Sequence, residues 1–241
     1  MAFKQLTAGL LAMSIAGIAS AAATPLNTTL EGVFNNLATD GNNDVNVYTD
    51  MISDDLDALW TLNGSGLGST TMIIELAGYA GSNKFGIYAD GEYVQLFNGS
   101  ASAGAQAVLK ITGDGSVIVN FADTGIDFDA NKFGFYLDSP DGMFHSDTDL
   151  NGDGTDHMLA YQGIGEQVDL DGAGTDFIAG PWGSNEYILA WEDLAGGGDR
   201  DYADMVVMIE SITPIPEPGL AALLGAGLVG LGLSRRKSQT A

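Results

Sequence analysis

Two clusters of oxygen-bearing side chains carry the chemistry legible in this sequence. The first is Asp147-Thr-Asp149-Leu-Asn151-Gly-Asp153-Gly154-Thr-Asp156. Asp149, Asn151 and Asp153 alternate and are followed by a glycine, the order of the first half of a calcium loop, in which alternate side chains converge and the glycine permits a sharp bend. Asp156 or Asp147 could complete the shell. An EF-hand would need a bidentate glutamate at loop position 12, but Ala160 stands there, and His157 to Tyr161 reads as a strand. A calcium loop between two strands is therefore expected, with a merely solvated Asx-rich turn as its rival.

The second cluster is Trp191-Glu192-Asp193-Leu-Ala-Gly-Gly-Gly-Asp199-Arg200-Asp201-Tyr-Ala-Asp204. Tyr187 to Trp191 is apolar on both faces, so Glu192 should lie near the end of a buried strand. A carboxylate there must be paired or coordinated, because a desolvated ion is costly. Three glycines let the chain double back and gather Asp199, Asp201 and Asp204 beside Glu192 and Asp193. Either Ca2+ or Arg200 could neutralise the group, and five carboxylates to one arginine favour the metal.

The elements that must hold these clusters read as short strands broken by Gly and Asp. Thr71 to Ala77, Phe85 to Tyr88, Tyr93 to Phe97, Ala107 to Ile111 and Val117 to Phe121 come first, with turns at Asp90-Gly91 and Asp114-Gly115. Lys132 to Leu137, His157 to Tyr161, Tyr187 to Trp191 and Met205 to Ile209 follow. This spacing predicts an all-β fold, an antiparallel β-sandwich of jelly-roll-like kind. Only Asp50 to Leu62 could be helical, and Leu26 to Asn46 reads as a loose lead-in. One octet returns: Asn83-Lys-Phe-Gly-Ile-Tyr-Ala-Asp90 reappears as Asn131-Lys-Phe-Gly-Phe-Tyr-Leu-Asp138. Alternation makes these two core strands rather than two binding strands.

The second cluster, WEDLAGGGDRDYADMVV at 191–207, resembles the closing signature of the domain-of-unknown-function family numbered 4114. ELAGYA (75–80), NKFGIY (83–88), FGFYL (133–137) and DHMLAYQG (156–163) are similar to segments of its bacterial surface members. The likeness spans about 70 to 210. It implies an all-β exported domain without an established enzymatic role, and calcium binding at Glu192, Asp193, Asp199, Asp201 and Asp204.

Both ends of the chain carry addresses. Lys4, the apolar Leu6 to Ile18 and the small residues 19–23 read as a secretory signal peptide over 1–23. At the other end, Pro216-Glu217-Pro218 precedes an uncharged Gly/Leu/Ala run over 219–233 and a basic stop at Arg235-Arg236-Lys237. This tail resembles the PEP-CTERM sorting signal of exopolysaccharide-producing Gram-negative bacteria. That resemblance implies recognition by an exosortase-type enzyme and export to the cell surface or extracellular matrix. As a helix the hydrophobic run is roughly 22 Å long, short against a hydrocarbon core of about 30 Å, so it suits a transient inner-membrane anchor. The expected organisation is signal peptide 1–23, lead-in segment 24–69, sandwich core 70–212 and sorting tail 213–241.

Charge and composition exclude other classes. The chain has 32 acidic residues and 8 Lys or Arg, and Lys84, Lys110, Lys132 and Arg200 are the strong bases left once both ends are removed. Such a polyanion repels nucleic acid and anionic membrane, and needs counter-cations to stay compact. Sixteen of the acids lie between Asp138 and Asp204. Cysteine is absent, so neither disulfides nor thiolate chemistry contributes.

Catalysis has little support. His145 and His157 do not share a ligand spacing, and no Gly-x-Ser-x-Gly elbow occurs. The reading is a non-catalytic, calcium-stabilised surface protein that contacts exopolysaccharide or surface proteins. A secreted carbohydrate-binding module or carbohydrate-active enzyme is the alternative, with Trp182, after Gly180-Pro181, as an exposed platform for a sugar ring.

Overall fold

The computed structural model describes residues 24–25, 28–39, 43–64, 67–75, 81–101, 104–168 and 180–216. The signal peptide at 1–23, Glu217, Pro218, the 219–233 run and Arg235 to Lys237 lie outside the described residues, as does most of 75–80.

The fold is mostly β, and its sheets are antiparallel. Nine strands fall where alternation and turn residues predict them: β2 (Leu67–Glu75), β3 (Lys84–Ala89), β4 (Glu92–Phe97), β5 (Gln106–Ile111), β6 (Ser116–Val119), β8 (Gly134–Ser139), β10 (Met158–Gln162), β13 (Glu186–Trp191) and β14 (Met205–Glu210). The others are β1 (Leu59–Leu62), β7 (Ala122–Asp127), β9 (Gly142–His145), β11 (Gln167–Val168), β12 (Gly180–Pro181) and β15 (Ile212–Ile215). A seven-stranded sheet runs β10-β13-β14-β2-β5-β6-β7, and a four-stranded sheet runs β4-β3-β8-β9. Phe85, Ile87, Phe135 and Leu137 of the smaller sheet share one core with Leu109, Leu189, Trp191 and Val207 of the larger.

The larger sheet is buried on its other face too. Helix α1 (Thr29–Leu37) packs Leu30, Val33, Phe34 and Leu37 against Leu159, Tyr161, Ile188, Ala190, Val206 and Met208. That second layer is why β13 is apolar on both faces. Within the expected loose lead-in, Thr29–Leu37 is therefore an ordered amphipathic helix, whose apolar residues recur at the i, i+3, i+4, i+7 spacing of one helical face. The helix expected within Asp50 to Leu62 is confined to α2 (Asp54–Asp57), because β1 follows at once and pairs with β15.

The repeated octets lie side by side. Strands β3 and β8 pair antiparallel with Gly86 opposite Tyr136 and Tyr88 opposite Gly134. A side chain at Gly134 would collide with the Tyr88 ring, and one at Gly86 with the Tyr136 ring and the Val94 carbonyl. Each glycine thus makes room for its partner's tyrosine, and the repeat builds one reciprocal strand pair.

Candidate metal centre

Strands β13 and β14 end their pairing at Trp191 and Met205, so the chain from Glu192 to Asp204 closes one end of the larger sheet. The Glu192 N–H donates to the His157 carbonyl at 3.0 Å, extending the β10–β13 ladder by one step. This fixes the backbone at the point where the side chains turn acidic.

The turn itself depends on its glycines. Gly196, Gly197 and Gly198 hold φ of 74°, 81° and 44°, in the left-handed region that glycine tolerates best. Gly198 lies against the Glu192 carboxylate so closely that a Cβ there would overlap Oε1. Beyond it, Arg200 and Tyr202 also take positive φ, 56° and 52°, conformations that cost non-glycine residues energy. The loop coils back on itself and returns its carboxylates toward Glu192.

Two triads of ligand atoms result, each with its atoms within 4.8 Å of one another: Glu192 with Asp199 and Asp201, and Glu192 with Asp193 and Asp204. Glu192 is fully buried, and neither of its carboxylate oxygens makes a hydrogen bond of good geometry, with the Asp204 carboxyl and the Arg200 backbone N–H beside them. Asp204 accepts from the Asp193 N–H at 3.0 Å, Asp201 from the Ala203 N–H at 2.7 Å and Asp199 from the Asp201 N–H at 3.3 Å. Asp199 is exposed, Asp201 and Asp204 are half-buried, and Asp193 is buried.

Burial, followed by the negative charge of Asp204, pushes the Glu192 carboxyl far above the ordinary range, and burial raises Asp204 as well. Asp193 and Asp201 are raised, again chiefly by burial. The Arg200 backbone N–H eases this only slightly, and the Arg200 side chain forms no ion pair with the five carboxylates. Its guanidinium donates to the Thr24 carbonyl at 3.3 Å, and the ion pairs among the described residues are Lys84–Asp138 and His157–Asp153, outside the five carboxylates. A centre of this kind suits a hard cation with many oxygen ligands, the preference of Ca2+.

The smaller sheet reaches into the same centre. Asn83, just before β3, is fully buried; its Nδ2 donates to Asp193 Oδ2 at 2.8 Å, and its Oδ1 has no partner. Ser139, at the end of β8, donates to the Asp193 carbonyl at 2.7 Å, and Asp141 accepts from the Ala195 N–H at 2.7 Å. The acidic loop therefore ties the two sheets together at one end. Asn83, Ser139 and Asp141 went unnoticed in the sequence. A polar residue opening an apolar strand twice, at Asn83 and Asn131, was the available signal. Asn131 spends both ends of its amide on the Leu62 backbone.

The first cluster does other work. Among the described residues, triads of acidic or imidazole ligand atoms occur only around Glu192, and Asp149, Asp153 and Asp156 form none. Asn151 turns inward, accepting from the His145 N–H at 2.7 Å and donating to the His145 and Thr155 carbonyls at 3.1 and 2.9 Å. Asp149 is exposed, donating its N–H to Asp147. Asp156 accepts from the Met158 N–H, and its carbonyl accepts from the Tyr202 hydroxyl.

Asp153 braces the second cluster instead. It accepts from the Gly196 N–H at 2.6 Å and the Thr155 N–H at 3.0 Å, and faces His157 Nε2 at 2.9 Å. Burial works against its charge, but these bonds outweigh it and hold the carboxyl at about 2. The other His157 nitrogen faces the Glu192 carbonyl at 3.0 Å, and the ring stacks on Phe144.

Trp182 is not an exposed platform. Its ring is fully buried beneath α1, 5.9 Å from Phe34, and its Nε1 donates to the Glu186 carbonyl at 3.1 Å. The Gly-Pro before it reads as an exposed turn, but α1 covers the site.

No curated protein matches this chain. The similarity expected over about 70 to 210 is found over a shorter stretch, which takes in both acidic clusters and leaves out Asn83. Over residues 123–211, from within β7 to just past β14, the chain matches the family described as a domain of unknown function (DUF4114).

Proposed function

We propose that this chain is an exported, non-catalytic protein of the cell surface or extracellular matrix, whose β-sandwich is locked by Ca2+ at the Glu192 centre. The two sheets with a common core are the layers of that sandwich, and the cation clamps them at one end. One observation carries the reading: a fully buried glutamate with no hydrogen bond of good geometry to either oxygen lies among four further carboxylates, none of them paired with a basic side chain. Leaving that charge uncompensated is costly, and a divalent cation removes the cost.

Export rests on the signal-peptide pattern and on the PEP-CTERM-like tail through Pro216, Glu217, Pro218, Arg235 and Arg236. An exosortase-type enzyme would process that tail, and exopolysaccharide or neighbouring surface proteins would be the partners. A non-catalytic role is supported by His157, whose ring nitrogens are both engaged within the loop scaffold.

The test is thermal unfolding of the full chain in EDTA and in millimolar CaCl2. At a hundredfold excess over Kd, calcium should raise the midpoint by about 5–10 °C, and Asp199→Ala with Asp201→Ala should reduce that gain. An unchanged wild-type midpoint would favour a merely solvated acidic surface.

The carbohydrate-binding alternative moves from Trp182 to the outer face of the smaller sheet. There Tyr93 is 39% exposed, stacks on Tyr88 and meets Tyr136 edge-on, and its hydroxyl lies 3.0 Å from His145 Nε2. Glycan-array binding lost on Tyr93→Ala would establish that reading.

A further inference from the structure

The carboxylates at the end of β13 form two triads, and Glu192 belongs to both. A carboxylate whose two oxygens are both buried and unpartnered can serve two cations at once. Glu192 meets that condition, being fully buried with neither oxygen held by a hydrogen bond of good geometry. Charge points the same way: five carboxylates without a base are left strongly negative by one divalent cation and nearly balanced by two.

The surroundings of the two triads differ. Asp193 is buried and Asp204 half-buried, and their geometry is set by the Asp193 N–H bond to Asp204 and the Ser139 bond to the Asp193 carbonyl. Asn83 adds a buried neutral oxygen without a partner beside Asp193. On the other side Asp199 is exposed and Asp201 half-buried, on a glycine turn.

We infer that the centre holds two Ca2+ ions bridged by Glu192, an inner ion on Asp193 and Asp204 and an outer ion on Asp199 and Asp201. The inference rests on the calcium reading above and extends it. The inner ion binds more tightly, because its ligands are preorganised and charges attract more strongly away from water. It is the ion that holds the two sheets together. The outer ion is screened by solvent and salt, binds more weakly and orders the glycine turn. Its remaining coordination positions face outward, toward water or an oxygen ligand from outside the chain.

Native mass spectrometry of the full chain, titrated with CaCl2, tests this. The wild type should take up two Ca2+ in successive steps. Asp199→Asn, an exposed change compatible with folding, should lose the weaker step and keep the tighter one. Glu192→Gln should lose both, and if that variant does not fold, Asp199→Asn carries the test. A wild-type chain saturating at one Ca2+ would overturn the bridged pair and leave the calcium-locked sandwich standing. No uptake at all would overturn both. Asp199→Asn still binding two with unchanged affinities would overturn the assignment of the outer ion.

Discussion

Glu192 has a stability cost that depends on what surrounds it. Burial and the Asp204 charge raise its carboxyl in the metal-free fold, so the fold holds a proton there that the unfolded chain releases near the ordinary carboxylate value. The stability tied to that proton is fully present below the unfolded value and is lost as pH rises through the folded one. In EDTA, Glu192→Gln should therefore match the wild type near pH 4 to 5 and exceed it at pH 8, on the order of 1–3 kcal/mol, the scale of relieving a desolvated polar group. In calcium the order should reverse, because only the wild type gains from the ion. A Glu192→Gln variant less stable than wild type in EDTA at pH 8 would mean that the carboxylate makes a structural bond. Gly198 gives a second residue-level test. Gly198→Ala places a methyl on the Glu192 carboxylate, and calcium affinity by isothermal titration should fall at least about tenfold, or 1.4 kcal/mol.

The strands that frame the centre are largely visible in the sequence, and helix α1 is not. Period-two alternation marks β3, β4, β5 and β8, because each has one face on the common core. Edge strand β7 escaped notice because its residues are almost all exposed, leaving no apolar face to detect. Helix α1 had a readable stripe at Leu30, Val33, Phe34 and Leu37, but Gly32, Asn35 and Asn36 lower its propensity. Phe34 anchors it, 4.9 Å from Tyr161 and 5.9 Å from Trp182. Phe34→Ala should cost about 3–5 kcal/mol in urea unfolding. The same variant should keep its calcium stoichiometry, since α1 covers the far face of the sheet.

The 149–156 loop is less legible than the Glu192 cluster for a different reason. Alternate oxygens suit Asx turns as well as cations, and spacing alone does not tell them apart. The Glu192 cluster was legible because burial could be inferred from the flanking strand. In the smaller sheet, Gly134→Ala should cost roughly 1–3 kcal/mol, the usual penalty for overpacking, because the Tyr88 ring occupies the space.

At the scale of the molecule, 32 acidic residues against 8 Lys or Arg leave the chain repelling itself. Two remedies have different signatures. Screening by 1 M NaCl, with a Debye length of about 3 Å, should raise the melting midpoint of wild type and of Asp199→Ala/Asp201→Ala alike. Millimolar CaCl2 should raise it more in the wild type than in that variant, since the variant lacks the outer carboxylates of the centre. The centre draws Asn83, Ser139 and Asp141 from one sheet and Glu192 to Asp204 from the other, so an ion bound there would tighten the hold between the layers. The most direct measurement is a crystal structure of the full chain grown in CaCl2, with anomalous differences used to locate the ion. The predicted result is a peak about 2.3–2.6 Å from a Glu192 carboxylate oxygen. A map in saturating calcium with no peak there would contradict the account.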